Sequence, residues 1–471
     1  MSTSFITGIS GLDELLGDIP SKSMLLIVGH PGSGKTTLAS KICYSNALRG
    51  HKCLFITFYE DKEKLYRNMG KLGINLQEAE SKQLLTYVKL PVASPEEIMN
   101  TISHLVVKSS YSIVVIDSVN PILELIEALE TKRAVLLNFF YHLDKIVNGL
   151  LVLVAEIQMN KEVQDLGGAE FVSDIVLALR LKKHGGLISR SLEIRKARGS
   201  PILLAEIPFT IMQSRGIDLH VPPTPVRPLV TLSKELRGLE LWKHLIGSIY
   251  SGDVITNSAP PYARNVDIFI PIIALALFND LKILVFSFKW SPHEFKMMIP
   301  YRVLAEYTSL KREEIRWVVE NYFFFESINP SRYPLEELIS HIRGAIEKYN
   351  PGIIVINEAE NIWIRTKDKT KYWNNISALY AWLKNNGKLV IHLTTRISEG
   401  WVRRNEVLSD VVIRYYCRYR ENAIKPLITV WNRGVFSTID PNDENIINKF
   451  KSFVYEISEA VAKRRESAGH S

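Results

Sequence analysis

Gly29-His30-Pro31-Gly32-Ser33-Gly34-Lys35-Thr36 constrains this chain more than any other stretch, because it directly follows the apolar run Met24 to Val28 and opens an apolar-periodic segment at Thr37. That order predicts strand, tight loop, helix. The glycines let backbone N–H groups turn inward around phosphate oxygens, and the N-terminus of the following helix adds partial positive charge. In this spacing Lys35 is expected to reach β and γ phosphates, and the Thr36 hydroxyl to bind Mg²⁺. Gly29, His30, Pro31, Gly32, Ser33, Gly34, Lys35, Thr36 and Thr37 are therefore the expected nucleotide-binding residues of a complete P-loop.

A chain of 471 residues, 46% hydrophobic and 23% charged, has ordinary globular proportions and is too long for one small core, so two or three domains are expected. A net charge of +8 suggests an anionic partner without identifying one, and nucleotide phosphates already satisfy it. Cys43, Cys53 and Cys417 form no C-x-x-C pair. Neither a disulfide framework nor a zinc site is indicated, and a reducing, cytoplasmic setting fits. The N-terminus lacks a signal-peptide pattern, and the longest apolar run, Ile268 to Phe278, contains Pro271 and is too short to span a bilayer. A soluble protein with no membrane partner is expected.

Pro222, Pro223, Pro225 and Pro228 crowd a stretch that blocks helix and central strand alike, which puts a boundary between domains 1–222 and 223–471. The same landmarks recur on either side in the same order. KCLFITFYE (Lys52 to Glu60) returns as KILVFSFKW (Lys282 to Trp290), and SIVVIDSVN (Ser112 to Asn120) as GIIVINEAE (Gly352 to Glu360). LLVLVAE (Leu150 to Glu156) has its counterpart in KLVIHLT (Lys388 to Thr394), and EFVSDIVLAL (Glu170 to Leu179) in EVLSDVVIRY (Glu406 to Tyr415). Short apolar runs separated by helical patterns, such as Pro95 to Val107 and Lys132 to Val147, predict a duplicated α/β plan with a mostly parallel sheet flanked by helices in each half.

A P-loop enzyme needs a carboxylate at the end of an apolar strand to hold Mg²⁺, and Asp117, ending Ile113 to Ile116, is that residue. Hydrolysis also needs a base for the attacking water. Glu60, at the end of the strand Cys53 to Phe58, is the first candidate, and Glu156, ending the next strand, is a second that would sense the γ phosphate or align water.

TGISGLDELLG (Thr7 to Gly17), the P-loop, FITFYE, IVVIDS, EFVSD and LEIRKARGS (Leu192 to Ser200) together resemble a KaiC-type ATPase domain of the RecA superfamily, and they span almost all of residues 5–218. The resemblance implies two tandem RecA-like domains, ATP and Mg²⁺ as ligands, ATP bound between subunits, a homo-hexameric ring and a regulatory or signalling role. It also assigns Lys196 and Arg198 as the Lys-x-Arg pair that reaches the neighbouring subunit's γ phosphate, a cation delivered in trans to the transferring phosphoryl group. The family carries two adjacent glutamates after the second strand, where this chain has Tyr59 and Glu60, so slow hydrolysis is expected.

The second half keeps the frame and loses the chemistry. The residues aligned with the P-loop, Asn257 to Val266, contain no glycine and two consecutive prolines, with Arg264 or Asn265 in place of Lys35. Asn357 replaces Asp117, Lys289 and Trp290 replace Tyr59 and Glu60, and Trp431 replaces Lys196, while Arg433 is retained and Glu358 is the acid that would substitute for the lost aspartate. A degenerate domain that binds no nucleotide and recruits an unidentified protein partner is expected. Asn405 to Asp410 offer no adjacent Ser/Thr pair, so the family's autophosphorylation is not expected. Trp363, Tyr372, Trp373, Trp382, Trp401, Arg403 and Arg404 interleave aromatic and basic side chains, a pattern that binds single-stranded nucleic acid or, as the favoured reading here, forms core and solvated surface. The basic tail from Lys463 is expected to fray. The rival functions are a recombinase-type DNA-binding ATPase and a non-hydrolysing ATP-binding scaffold.

Overall fold

All seven residues of β3 (Ser23–Gly29) are buried, the mark of a strand covered on both faces, and the sheet around it sets the position of everything that follows. The computed structural model describes residues 4–126, 136–157, 169–184, 187–202, 206–221, 234–237, 243, 246–260, 268–289, 291–420 and 423–468. The chain divides into two compact units, Met1–Val221 and Pro222–Ser471.

In the first unit a short antiparallel pair, β1 (Ser4–Phe5) and β2 (Ile19–Pro20), precedes β3. The remaining strands are β4 (Cys53–Thr57), β5 (Leu85–Lys89), β6 (Ile113–Asp117), β7 (Leu150–Glu156), β8 (Ile175–His184), β9 (Leu187–Ala197), β10 (Glu206–Met212) and β11 (Gly216–Leu219). With β3 they form a nine-stranded sheet of order β11-β10-β9-β8-β3-β7-β6-β4-β5, parallel from β8 to β5 and antiparallel beyond β8. Alternation along β3 splits the core. Leu25 and Ile27 pack with Leu38 and Ile42 of the helix Lys35–Ala47, whereas Met24, Leu26 and Val28 pack with Ile98 and Ile102 of the helix Pro95–Lys108. Ser94 caps that second helix by accepting from the Glu97 N–H. Of the helical pattern Lys132 to Val147, the described part is a π turn, Leu136–Phe140, continued by the helix Tyr141–Val147, and residues 132–135 lie outside the described residues.

The second unit repeats the plan. Its strands β12 (Val254–Ala259), β13 (Ile283–Ser287), β14 (Phe323–Ser327), β15 (Ile353–Asn357), β16 (Leu389–Thr395), β17 (Val411–Arg420), β18 (Ala423–Asn432) and β19 (Val435–Ile439) run in the order β14-β13-β15-β16-β12-β17-β18-β19. Read in the same direction, the first unit from β5 to β10 has the same sequence of roles, and all four repeated landmarks fall on equivalent strands. Equivalence extends to side chains: Asp174 accepts from the Met24 N–H and Asp410 from the Val254 N–H, each tying the start of the central strand to its neighbour. The fold is thus two tandem RecA-like α/β domains, each a mostly parallel sheet flanked by helices.

Three findings depart from or refine the sequence expectations. Cys43 and Cys53 are joined by a disulfide, against the expectation of none. The helix Lys35–Ala47 packs on the sheet so that Cys43 faces the first residue of β4, and both cysteines are fully buried. As far as Ala468 the basic tail is helical and held: the helix Glu444–Ala468 carries Arg464 onto the Leu277 carbonyl at 3.1 and 3.2 Å and Arg465 to 3.4 Å from Glu314, and residues 469–471 lie outside the described residues. The apolar run at Ile268 is the helix Phe269–Asn279, buried in the core of the second unit, and among the described residues no helix is long and apolar enough to cross a membrane.

Candidate functional site

The P-loop joins the C-terminal end of β3 to the helix Lys35–Ala47, as the order of apolar run, glycines and periodic segment requires. Gly32 and Gly34 take φ of +75° and +109°, the left-handed region that glycine enters at no steric cost. Space forbids a side chain at Gly29, where a Cβ would lie 2.4 Å from the Leu179 carbonyl oxygen, whereas at Gly34 a Cβ would meet only the movable end of Ile211 at 2.9 Å and the backbone angle is what requires glycine. His30 and Pro31 complete the turn, with His30 Nδ1 3.2 Å from the Ile157 carbonyl oxygen. Thr37 is buried in the first helical turn. The Ser33 hydroxyl is buried inside the loop and has no protein partner. An unpartnered hydroxyl within a glycine-lined turn at a helix N-terminus fits an anionic oxygen, and the loop suits a nucleotide phosphate.

Lys35 is only 5% exposed. Its Nζ donates to the His30 carbonyl at 3.0 Å and lies 3.5 Å from Glu156 Oε1. Burial lowers its pKa, while Glu156 and Asp117 pull it back up. Desolvation pushes the Asp117 carboxyl up to about 6, against the opposing pull of the neighbouring Thr36 hydroxyl and of Lys35. A hydroxyl and a carboxylate side by side, beside a phosphate loop, form the hard-oxygen donor set that suits Mg²⁺ completed by phosphate oxygens and water.

Strand register brings the other acids to the same edge. Thr57 at the end of β4 is opposite Asp117, so Glu60 follows directly beside the Asp117 strand, and Glu60 and Glu156 both add negative potential at Asp117. The Glu60 carbonyl accepts from the Tyr87 hydroxyl at 2.6 Å, and its carboxylate is 3.8 Å from Lys64. Tyr59 is 62% exposed. Glu156 is level with Gly29 on the neighbouring strand, and its half-exposed carboxylate faces both Lys35 and solvent.

Lys196 and Arg198 are not brought to this edge. Lys196 Nζ donates to the Glu170 and Phe171 carbonyls at 2.9 and 3.0 Å, and Arg198 pairs with Asp174 at 3.2 Å and the Phe171 carbonyl at 3.2 Å. Arg198 N–H bonds the Asp174 carbonyl and Asp174 N–H the Met24 carbonyl, so Arg198 is level with the start of β3. Gly29 lies five residues further along, about 16 Å at the rise of a strand. Within one chain the pair sits at the far end of the sheet from the P-loop.

In the second unit the equivalent positions carry other chemistry. Ala259 occupies the register of Gly29, so the strand itself continues where the sequence alignment began its loop. Pro261, Arg264, Asn265 and Trp290 lie outside the described residues. Asn357 holds the register of Asp117, opposite Ser287 and Leu393, and Trp431 opposite Val412 holds that of Lys196 opposite Val176. Glu358 pairs with Lys289 at 3.6 Å, and Arg433 with Asp253. The interleaved aromatics are core: Tyr372 and Trp401 are fully buried, Trp373 packs against Trp401 at 5.5 Å, and Trp363 lies on the same cluster.

One residue of this edge was missed by reading the sequence. Asn120, buried just after the Asp117 strand, bonds both backbone groups of Glu156. Its signal was the asparagine closing the quoted SIVVIDSVN.

Residues 5–223 match the family model described as "ATPase: KaiC". Circadian clock protein KaiC2 of Synechocystis sp. is 22% identical over 402 residues, covering 82% of this chain and 69% of that protein. Circadian clock protein KaiC3 of Synechocystis sp. is 29% identical, covering 53% of this chain and 52% of its own length. A UPF0273 protein of Methanopyrus kandleri is 28% identical over 44% of this chain and 87% of its own length. With an intact phosphate loop in the unit that the family model matches, the chain is a KaiC-like, ATP-binding protein of the RecA superfamily, two domains in tandem, the first of which matches the KaiC ATPase model.

Proposed function

We propose that the first unit binds ATP with Mg²⁺ and hydrolyses it slowly to ADP and phosphate, within a hexameric ring of copies in which a neighbour supplies Lys196 and Arg198. The convergence of buried Lys35, the Thr36–Asp117 pair and Glu156 on one loop carries this reading. Bound Mg²⁺ would neutralise charge developing on the phosphoryl oxygens. Lys35 binds the terminal phosphates, Thr36 and Asp117 hold the metal, and Glu60, with Glu156 as second candidate, orients or deprotonates water. The distance between Arg198 and its own P-loop supports delivery of that cation in trans, which ties catalysis to assembly. The second unit holds the assembly or recruits a protein partner without binding nucleotide, the whole acting as a regulatory or signalling ATPase in the cytoplasm.

Light scattering with and without Mg²⁺-ATP, run beside phosphate release and calorimetry, tests the reading. Particles six chains in mass, Mg²⁺-dependent release and one nucleotide per chain are expected. Two nucleotides per chain would contradict the assignment of the second unit. A second reading, an ATP-binding scaffold without turnover, is favoured by one observation: exposed Tyr59 stands where the family resemblance places a catalytic glutamate. Binding without phosphate release would select it.

A further inference from the structure

We propose that Asn120 is a positioning residue for Glu156, its side-chain amide fixing the end of β7 so that the Glu156 carboxylate stands against the P-loop lysine. This deepens the reading of the first unit as a nucleotide site and rests on it. Asn120 opens the helix Asn120–Glu124, three residues after Asp117, and is 9% exposed. Asparagine at a helix start ordinarily turns onto its own helix. Here Oδ1 accepts from the Glu156 N–H at 2.7 Å, and Nδ2 donates to the Glu156 carbonyl at 3.3 Å. The amide thus acts as one more rung of the sheet, beyond the last β6–β7 pair, Asp117 opposite Val154. The rung before it is the Val119 N–H to the Val154 carbonyl, 2.8 Å.

Glu156 is gripped on its other side by the P-loop strand. It lies opposite Gly29, and the Ile157 N–H donates to the Gly29 carbonyl at 3.0 Å. Its backbone is thus held from both sides, which fixes the origin and direction of the side chain, and its carboxylate sits 3.5 Å from Lys35 Nζ. The contacts run from Asn120 through Glu156 to Lys35. A phosphate that draws the Lys35 ammonium to itself leaves the Glu156 carboxylate beside it, held where a water bound to that phosphate can be oriented.

The second unit separates the rung from its use. Glu360 occupies the position of Asn120, and its Oε1 accepts from the Thr395 N–H at 3.1 Å, where Thr395 lies opposite Ala259 as Glu156 lies opposite Gly29. The rung is built in both units. Only in the first does it hold a carboxylate against a lysine. A purely structural rung would act alike whatever side chain residue 156 carries, and that difference is measurable.

The test is a double-mutant cycle in the full chain with Asn120→Ala, Glu156→Gln and the pair. Asn120→Ala is expected to lower kcat about tenfold with KM within about twofold of wild type, and to have less than about a twofold further effect once Glu156→Gln is present. Losses that multiply, or wild-type kcat in Asn120→Ala, would overturn the assignment. Retained Mg²⁺-ADP binding certifies the loop in each variant, and Asn120→Leu, which keeps the volume and removes both bonds to Glu156, replaces the alanine if that variant does not fold. A wild type that binds nucleotide without turnover refutes hydrolysis alone. The cycle is then read on affinity for a non-hydrolysable ATP analogue relative to ADP, where independent effects of the two substitutions overturn the role of Asn120. A wild type that binds no nucleotide overturns both.

Discussion

Lys35 is a buried cation held by one carbonyl and one carboxylate, so it comes to a phosphate already oriented, and the neighbouring Asp117 is a half-buried, desolvated acid that a cation would stabilise. Replacing Asp117 by asparagine keeps its shape and removes the charge. Asp117→Asn is expected to retain nucleotide binding and to lose Mg²⁺-dependent phosphate release by about two orders of magnitude, since a metal contact matters most as charge develops. Turnover with wild-type metal dependence in that variant would remove Asp117 from the metal site. A second residue-scale consequence lies in the other unit. His392 is buried among aromatic rings, neither ring nitrogen has a partner, and burial holds its pKa down at about 4. The unfolded chain titrates near the ordinary value of about 6.5, so between these two pH values the unfolded state binds a proton that the folded state refuses. Stability is then flat above about pH 6.5 and falls on acidification, by on the order of 3 kcal/mol by pH 4. Leu153 holds the same register in the first unit, opposite Ile116 as His392 is opposite Ile356. His392→Leu should therefore fold and lose much of the acid slope in urea unfolding between pH 7 and 5, and an unchanged slope would assign it to other groups.

At the scale of elements, the helix Glu444–Ala468 is fastened at its far end, because Arg464 donates twice to the Leu277 carbonyl in the last turn of the helix Phe269–Asn279 and lies 3.4 Å from Asp280. A cation on the open carbonyls of a helix C-terminus contributes through hydrogen bonds and the helix dipole. Arg464→Ala is expected to destabilise the second unit by about 1–2 kcal/mol. That corresponds to a melting shift of several degrees, at about 2–4 °C per kcal/mol for a domain of this size, and an unshifted midpoint would show that the tail is not docked in solution. This contact was illegible in the sequence, where Lys463 onward reads as a short basic end, because its partner is 187 residues away. The strands and the P-loop were legible for the opposite reason: a buried parallel strand is a continuous apolar run, and a phosphate loop is fixed by glycines adjacent in sequence. The repeated landmarks carried the duplication because each pairs a strand with the residue at its end, and Asn357 and Trp431 fell on the register of Asp117 and Lys196. Cys43 and Cys53 meet only because a helix folds back across β4, and Asn120 meets Glu156 only through sheet order. Neither is written in any local spacing.

For the whole molecule, the separation of Lys196 and Arg198 from their own P-loop makes a prediction that no single chain can satisfy. Each chain of the proposed ring contributes two faces, one with Lys35 and Asp117 and one with Lys196 and Arg198. Lys35→Ala disables the first face and leaves the second intact, and Arg198→Ala does the reverse. Each variant alone should release little phosphate, but Arg198→Ala should still bind ATP as wild type does, because Arg198 is level with the start of β3 and engaged by Asp174 and Phe171. When the two variants are mixed at equal concentration and allowed to co-assemble, the junctions divide at random. About one in four joins an intact P-loop to an intact cation pair, a share that follows from pairing two equally common faces independently. Phosphate release from the mixture should therefore recover to about a quarter of the wild-type rate per chain if active junctions work alone, with the deviation from a quarter measuring how far neighbouring sites are coupled. Mixed assembly is verified separately by pulling down one tagged variant with the other. Mixed rings that release no more phosphate than either parent would place catalysis within one chain and remove the role in trans from Lys196 and Arg198.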